Sequence, residues 1–160
     1  MANSVINEIR IISDGDRTKE LLHAVKKDSL GPGSMDFNKI KPMPEHLIGT
    51  NEGEEWAVEN WQSKWNANNE WATIHDSIDF LIFETPWVGV PGLIMQLALQ
   101  FPDIEFEYMF ADEALGENIG HYKFIGNTVL DLLAKAGIKE NSNEAIVFGA
   151  RMWGIEELFD

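Results

Sequence analysis

The sequence predicts an α+β fold of the ferredoxin-like type, the split βαβ plan, in which an antiparallel sheet carries its helices on one face. Three observations lead to this prediction. Over 104–110, Ile104, Phe106, Tyr108 and Phe110 alternate with Glu105, Glu107 and Met109, as in a strand with one buried face. Over 80–83 the apolar residues follow one another without a break, which is typical of a buried strand. The segments 17–27 and 91–101 both show the apolar spacing of amphipathic helices.

The first half of the chain supplies a strand, a helix and a second strand. Residues 5–13 predict the first strand, after which Asp14 is placed to cap a helix over 17–27. A short second strand is predicted over 35–40. The acidic segment 45–59 contains two glycines, so we expect a loop there with at most one helical turn.

The second half continues the same plan. We predict a central strand over 79–84 that is covered on both faces, followed by a helix over 91–101 with a proline in its first turn. Strands over 104–110 and 121–125 come next. The first six elements therefore run β-α-β-β-α-β, which is the order of the ferredoxin-like plan.

The domain organisation follows from these elements. Residues 1–126 are predicted to form the ferredoxin-like α+β domain, with a long connection over 41–76. Residues 127–160 are predicted to add C-terminal helices that pack on the same domain. These helices run over 128–136, with a glycine placed to end the first one, and from Asn143 through Leu158.

The composition limits the chemistry of the chain. An apolar fraction of 44% is that of a folded protein. There is no cysteine, which excludes disulfides, thiol chemistry and iron–sulfur clusters. The N-terminal residues show no signal peptide, and no apolar run reaches the length of a membrane span. We therefore expect a cytoplasmic protein that does not contact membranes.

The charge is unevenly distributed along the chain. The net charge is −15, and residues 65–122 contain no lysine or arginine but ten acidic residues. Such a surface repels phosphates, so we expect no direct binding of nucleic acid but attraction to a basic protein. The alternative is that the acidity only keeps the protein soluble. The candidate acidic interaction surface consists of Glu105, Glu107, Asp112, Glu113 and Glu117.

A cluster of tryptophans with polar neighbours is the other candidate site. In one interpretation the rings line a pocket for a base, a sugar or a partner side chain. In the other they cover an open sheet face and anchor the long connection, and this interpretation is favoured because large aromatic residues bury much area. The candidate pocket residues are Asn60, Trp61, Lys64, Trp65, Asn66, Thr85 and Trp87.

The sequence contains only weak indications of a catalytic or metal-binding site. The triplet from His75 to Ser77 matches half of a two-histidine phosphoesterase motif, but the sequence has no second copy. Asp76 and Asp79 near His75 are the only local group with metal-ligating types, and solvated acids at a strand edge are the favoured explanation for them. We predict no catalytic residues, no cofactor and no metal, and hence a protein that is not an enzyme.

Several motifs resemble those of a family of small proteins from phages, plasmids and other mobile elements. The matching stretches are MDFNKIKPMP, NWQSKWNA, FETPW and RMWGIEEL. The resemblance implies a ferredoxin-like domain and supplies no biochemical activity. One departure is Gln62, where the family often has glycine. The other is that the acidic insert before NWQSKWNA and the segment 128–140 match nothing in the pattern.

These observations support three hypotheses about function. The first is a non-enzymatic mobile-element protein that binds a basic protein of the host or of a rival, as an inhibitor of a nucleic-acid-handling defence complex, for example by mimicking the charge of DNA. The second is a small-molecule or nucleotide-binding module built around Trp61, Trp65 and Trp87. The third is a virion structural or assembly protein. The sequence does not define the partner or the oligomeric state.

Overall fold

The computed structural model describes residues 2–155. Five strands, five α-helices and two short 3₁₀ helices are assigned within them. The strands are β1 (Ser4–Ile11), β2 (Phe80–Pro86), β3 (Phe106–Asp112), β4 (Gly120–Ile125) and β5 (Thr128–Asp131). The helices are α1 (Gly15–Val25), α2 (Asn51–Trp61), α3 (Pro91–Gln100), α4 (Leu132–Ala136) and α5 (Asn143–Met152).

The strands form one antiparallel sheet in the order β2-β1-β3-β4-β5. In β1, Asn7 lies opposite Phe83 of β2 and Phe110 of β3. Residues paired in this way point to the same face, so Val5, Asn7 and Ile9 define one face of the sheet. All three are fully buried, and this face therefore carries the main core.

The helices α1, α2 and α3 cover this core face. Leu21 and Leu22 of α1, Trp61 of α2 and Leu93 and Leu97 of α3 belong to the same hydrophobic cluster as the sheet. Helices α1 and α3 are the two helices of the split βαβ plan. Their position on one face of an antiparallel sheet confirms the predicted ferredoxin-like fold.

Helix α5 covers the opposite face of the sheet. The ring of Phe148 lies 6.0 Å from that of His121 on β4. Just after the helix, Trp153 Nε1 donates to the backbone carbonyls of Ala111 and Asp112 at the end of β3. The C-terminal part of the described chain thus forms a second layer on the back of the sheet.

The predicted strand over 35–40 is wrong. Residues Phe37–Lys39 form a turn of 3₁₀ helix, which the Asp36 side chain caps at the backbone N–H of Asn38. The N–H groups of Met35 and Phe37 donate to the side chains of Asn69 and Asn66 instead of to a neighbouring strand. Two asparagine side chains therefore replace a sheet ladder.

The absence of that strand changes the position of β2. The run 79–84 was predicted to be a central strand, but β2 lies at the edge of the sheet. A single antiparallel bridge from Asn68 to Glu84 flanks it on the outer side. The continuous apolar run has another cause: Leu81 and Phe83 face the core, while Ile82 on the back face is partly covered.

The predicted loop over 45–59 is also wrong, because most of it is helix α2. Thr50 accepts a hydrogen bond from the Gly53 N–H, and Glu52 and Glu54 lie in the first turn, where acidic residues favour a helix. Gly53 is required because a Cβ there would lie 2.1 Å from the carbonyl oxygen of Leu47. Gly53 therefore does not interrupt the helix but allows it to pack closely against Leu47.

The C-terminal predictions were partly correct. The predicted helix over 128–136 begins as strand β5 and becomes helical only as α4, which ends at Gly137 in the predicted left-handed conformation. The last helix is capped by Ser142 and ends at Met152, short of the predicted Leu158, which lies outside the described residues. None of the helices within 2–155 combines the length and apolar character needed to cross a membrane.

Candidate functional site

The tryptophans of the candidate pocket have different environments. Trp61, at the end of α2, is 3% exposed and donates its Nε1–H to the Lys41 carbonyl over 2.8 Å. Its ring packs edge-on against those of Phe37 and Trp56. Trp61 is therefore a core residue, as the structural interpretation of the cluster requires.

Trp65 and Trp87, in contrast, lie at the surface. Trp65 is 50% exposed and Trp87 is 48% exposed, and their rings stack at 28° with centroids 6.4 Å apart. Helix α2 ends in the left-handed Gln62 (φ 65°), so the chain turns away and Trp65 no longer shares a face with Trp61. Two large, stacked and half-exposed aromatic rings are typical of a protein contact site.

The backbone of Trp87 is held in an unfavourable conformation. Its φ of 65° lies in the left-handed region, which is uncommon for a bulky residue. The Trp87 N–H donates to the Asn3 carbonyl over 2.9 Å, and Asn118 Nδ2 donates to the Trp87 carbonyl over 2.6 Å. Asp112 in turn accepts from both asparagine side chains. Such locally strained residues cluster at functional sites.

A buried polar network supports the turn that carries Trp87. Asn7 Nδ2 donates to Thr85 Oγ1 over 3.0 Å, and Thr85 Oγ1 donates to the Val88 carbonyl over 2.6 Å. Tyr108 Oη donates to Asn7 Oδ1 and accepts from the Val90 N–H over 2.7 Å. Burial raises the pKa of the Tyr108 hydroxyl far above its usual value, so it acts as a neutral donor.

Three adjoining clefts lie on the side of the molecule that carries Trp65, which lines the first two of them. The first, of about 390 Å³, is lined by residues that include Met43, Ile48, Glu54, Trp61, Lys64, Trp65 and Asn66. The second, of about 320 Å³, is lined by Ala2, Asn3, Ser4, Trp65, Asn66, Asn68, Glu84, Thr85 and Pro86. The third, of about 420 Å³, is lined by Glu54, Glu55, Val58, Glu59 and Lys64.

The clefts share residues and so form one continuous surface. The third and first clefts both include Glu54 and Lys64, and the first and second both include Trp65 and Asn66. We name this surface, together with the stacked Trp87, the tryptophan groove. It runs from the exposed side of α2, over Trp65, to the edge strand β2.

Carboxylates lie at both ends of the tryptophan groove. Glu55 and Glu59 on α2 are exposed beside Val58, itself 54% exposed. At the other end, burial and the neighbouring carboxylates of Glu70 and Glu113 raise the pKa of Glu84. The groove thus combines an apolar centre with negative ends.

The five residues of the candidate acidic surface do not form one patch. Glu105 binds Lys123 over 2.8 Å and Glu107 contacts His121 over 2.9 Å, so both are paired on the back face of the sheet. Asp112 is 3% exposed and supports Trp87. Glu113 and Glu117 are exposed beyond the far end of β3.

The remaining candidates have local roles. Asn60 Nδ2 donates to the Trp56 carbonyl within α2. Asn66 Oδ1 accepts from the Phe37 N–H while its side chain also contributes to the groove. His75 Nδ1 accepts from the Ser77 N–H, and Asp79 pairs with Arg10 at 3.6 Å.

No group of three histidine, aspartate or glutamate side chains that could hold a metal ion occurs within residues 2–155.

Several residues of the groove were not identified from the sequence. Glu54, Glu55, Val58 and Glu59 belong to α2, for which the sequence predicts a loop. The signal that could have found them is Thr50 followed by acidic residues, which is a helix-start pattern. The sequence contains no comparable signal for Asn3 or Asn118, since their contacts with Trp87 depend on the fold.

Comparison with known proteins identifies the family. A family model described as the ferredoxin-like domain in Api92-like protein matches residues 60–151, from the end of α2 through most of α5. Comparison with curated proteins and with solved structures gives no match. The matched segment spans more than half of the chain and contains the sheet from β2 to β5. The chain therefore belongs to the family of ferredoxin-like domains in Api92-like proteins.

Proposed function

We propose that the chain is a non-enzymatic protein of a phage or other mobile element that binds a basic protein through the tryptophan groove. The partner belongs to the host or to a rival element, and the binding takes place in the cytoplasm of the host cell. The observation that carries the proposal is the exposed Trp65–Trp87 stack, with one ring on a strained backbone, between clefts with acidic rims.

The aromatic pair supports binding of a protein. Large aromatic side chains in the centre of a contact, surrounded by polar residues, contribute most of the affinity in protein–protein interfaces. The network around Tyr108 and Asn118 fixes the turn before a partner arrives, so little ordering is needed on binding.

The charge supports a basic partner. The net charge is −15, and Lys64 is the one basic residue among the described residues that line the three clefts. Such a surface attracts lysine- and arginine-rich segments and repels nucleic acids. A protein that handles nucleic acids presents such segments, so inhibition of a defence complex is the form of the proposal that fits best.

The experiment is capture of partners from a lysate of the host cell, at about 0.05 M and about 0.5 M salt. The wild-type chain is compared with Trp65→Leu and with Leu99→Ser, which changes an exposed apolar residue (56%) on α3 away from the groove. The proposal expects a basic protein that the wild type and Leu99→Ser retain at low salt, that high salt releases and that Trp65→Leu does not retain. Retention that is independent of salt, or independent of Trp65, would refute it.

A small-molecule or nucleotide-binding module is the second candidate. The first cleft of the groove favours it, because about 390 Å³ lined by Met43, Trp61 and Trp65 is within the size range of ligand pockets. A panel of nucleotides and metabolites tested for a rise in melting temperature separates the two candidates. A ligand that stabilises the wild type but not Trp65→Leu would favour this second function.

A further inference from the structure

The tryptophan groove contains a positively charged group that belongs to the chain, the ammonium group of Lys64. Lys64 Nζ lies 5.7 Å from the centre of the Trp65 ring and 3.7 Å from Glu54 Oε2. A cation within about 6 Å of a tryptophan face is attracted by the ring. The site between Trp65 and Glu54 is therefore suited to a positive charge, and a lysine occupies it.

The contacts of Lys64 are loose compared with those of other lysines in the chain. Lys39 and Lys123 approach their carboxylates to 2.9 and 2.8 Å, whereas Lys64 remains 3.7 Å from Glu54. The exposed fractions of the three side chains are similar, at 34%, 35% and 38%, so the difference lies in the distance to the carboxylate. A charged hydrogen bond has a typical length of about 2.8 Å, so Lys64 does not make a full one with Glu54. A better-fitting cation is expected to displace it.

A guanidinium group fits this site better than an ammonium group. It is planar, stacks on an aromatic face, and forms two parallel hydrogen bonds with a carboxylate. The second ring, Trp87, stacks on Trp65 and holds it in position. Glu55 and Glu59 continue the negative rim beyond Glu54 along α2.

We propose that the site between Trp65 and Glu54 recognises an arginine side chain of the basic partner, and that Lys64 is an internal competitor which this arginine displaces. This inference rests on the proposed function in one respect only, which is that the ligand is basic. If Lys64 competes with the ligand, removal of Lys64 strengthens binding of the basic ligand.

The test measures binding of an oligoarginine amide and of an oligolysine amide of equal length, by isothermal titration calorimetry. Lys64→Met keeps the apolar stem and removes the charge. The expected result is that Lys64→Met binds oligoarginine about threefold more tightly than the wild type, with a smaller gain for oligolysine.

Lys123→Met is the matched control, because it removes the same charge at the pair with Glu105 on the back of the sheet. An increase in affinity for oligoarginine caused by net charge alone is equal in both variants, whereas the inference requires a larger increase for Lys64→Met. Trp65→Leu combined with Lys64→Met must abolish the difference. Equal gains in the two lysine variants, or weaker binding by Lys64→Met, would overturn the inference.

The outcomes separate this inference from the proposed function. Equal gains in the two lysine variants, together with a partner captured in a salt-dependent way through Trp65, would reject the role of Lys64 alone. A specific gain for Lys64→Met, in a chain that retains no basic protein, would support the arginine site and reject the proposed function.

Discussion

Tyr108 donates its hydroxyl hydrogen to Asn7 Oδ1 over 2.5 Å, in the middle of the sheet, where both residues are fully buried. This hydrogen bond connects β3 to β1, and the same hydroxyl accepts from the Val90 N–H at the start of α3. Asn7 also reaches Thr85, just before the exposed Trp87. The interior of the fold and the proposed contact site are therefore linked by one polar network.

Replacement of Tyr108 by phenylalanine tests this network. It leaves Asn7 Oδ1 without a donor and the Val90 N–H without an acceptor, so the free energy of unfolding should fall by about 1–3 kcal/mol. Urea unfolding followed by fluorescence measures the change. Tyr122→Phe is the control, since Tyr122 lies directly opposite on β4 and is partly exposed. An equal loss in both variants would contradict the role given to the buried hydroxyl.

The left-handed backbone of Trp87 leads to a second prediction. Alanine is strained at a φ of 65° while glycine is not, so Trp87→Gly should be more stable than Trp87→Ala by about 1 kcal/mol. Chemical unfolding of both variants gives the difference. At Trp65, whose φ is not positive, the order should be reversed, with Trp65→Ala more stable than Trp65→Gly. Higher stability of Trp87→Ala would show that this backbone is not held in the left-handed region.

The pH dependence of stability is the third prediction. Burial, with Glu70 and Glu113 nearby, raises the pKa of Glu84 above its usual 4.5, so the folded chain binds the proton more tightly than the unfolded chain. The stability that this proton contributes is complete below pH 4.5 and is lost as pH rises through the raised pKa. Glu84→Gln avoids this loss, and its stability relative to wild type should rise with pH.

Asp103→Asn provides a comparison of opposite sign. The hydrogen bond from Arg17, 2.7 Å long, lowers the pKa of Asp103, so the wild type gains stability over Asp103→Asn as pH rises through the lowered pKa towards 3.8. Urea unfolding across the acidic range measures both variants. Parallel trends in the two variants would contradict the shift assigned to Glu84.

The elements that the sequence predicted correctly are those with strong local patterns. The alternation of Phe106, Tyr108 and Phe110 identifies β3, and Pro91 marks the start of α3. The prediction of a strand over 35–40 is wrong because the backbone partners of Met35 and Phe37 are the side chains of Asn69 and Asn66, about thirty residues away in sequence. Hydrogen bonds of this kind leave no periodic signal.

The candidate site was predictable only in part. The cluster of tryptophans is visible in the sequence, but a spacing of four between Trp61 and Trp65 indicates a shared face only while the helix continues. Gln62 ends the helix, which sends Trp61 into the core and Trp65 to the surface. The acidic side of α2 was missed because Gly53, needed for close packing on Leu47, was read as a helix breaker.

Binding of a basic protein by the tryptophan groove can be tested on the isolated complex. The most direct measurement is the dissociation constant of the captured partner for wild type and for Trp65→Leu, from about 0.05 M to about 0.5 M salt. We expect an affinity that falls steeply with salt and a loss of affinity of about tenfold or more in Trp65→Leu at every salt concentration. An affinity that is insensitive to salt, or unchanged in Trp65→Leu, would contradict it.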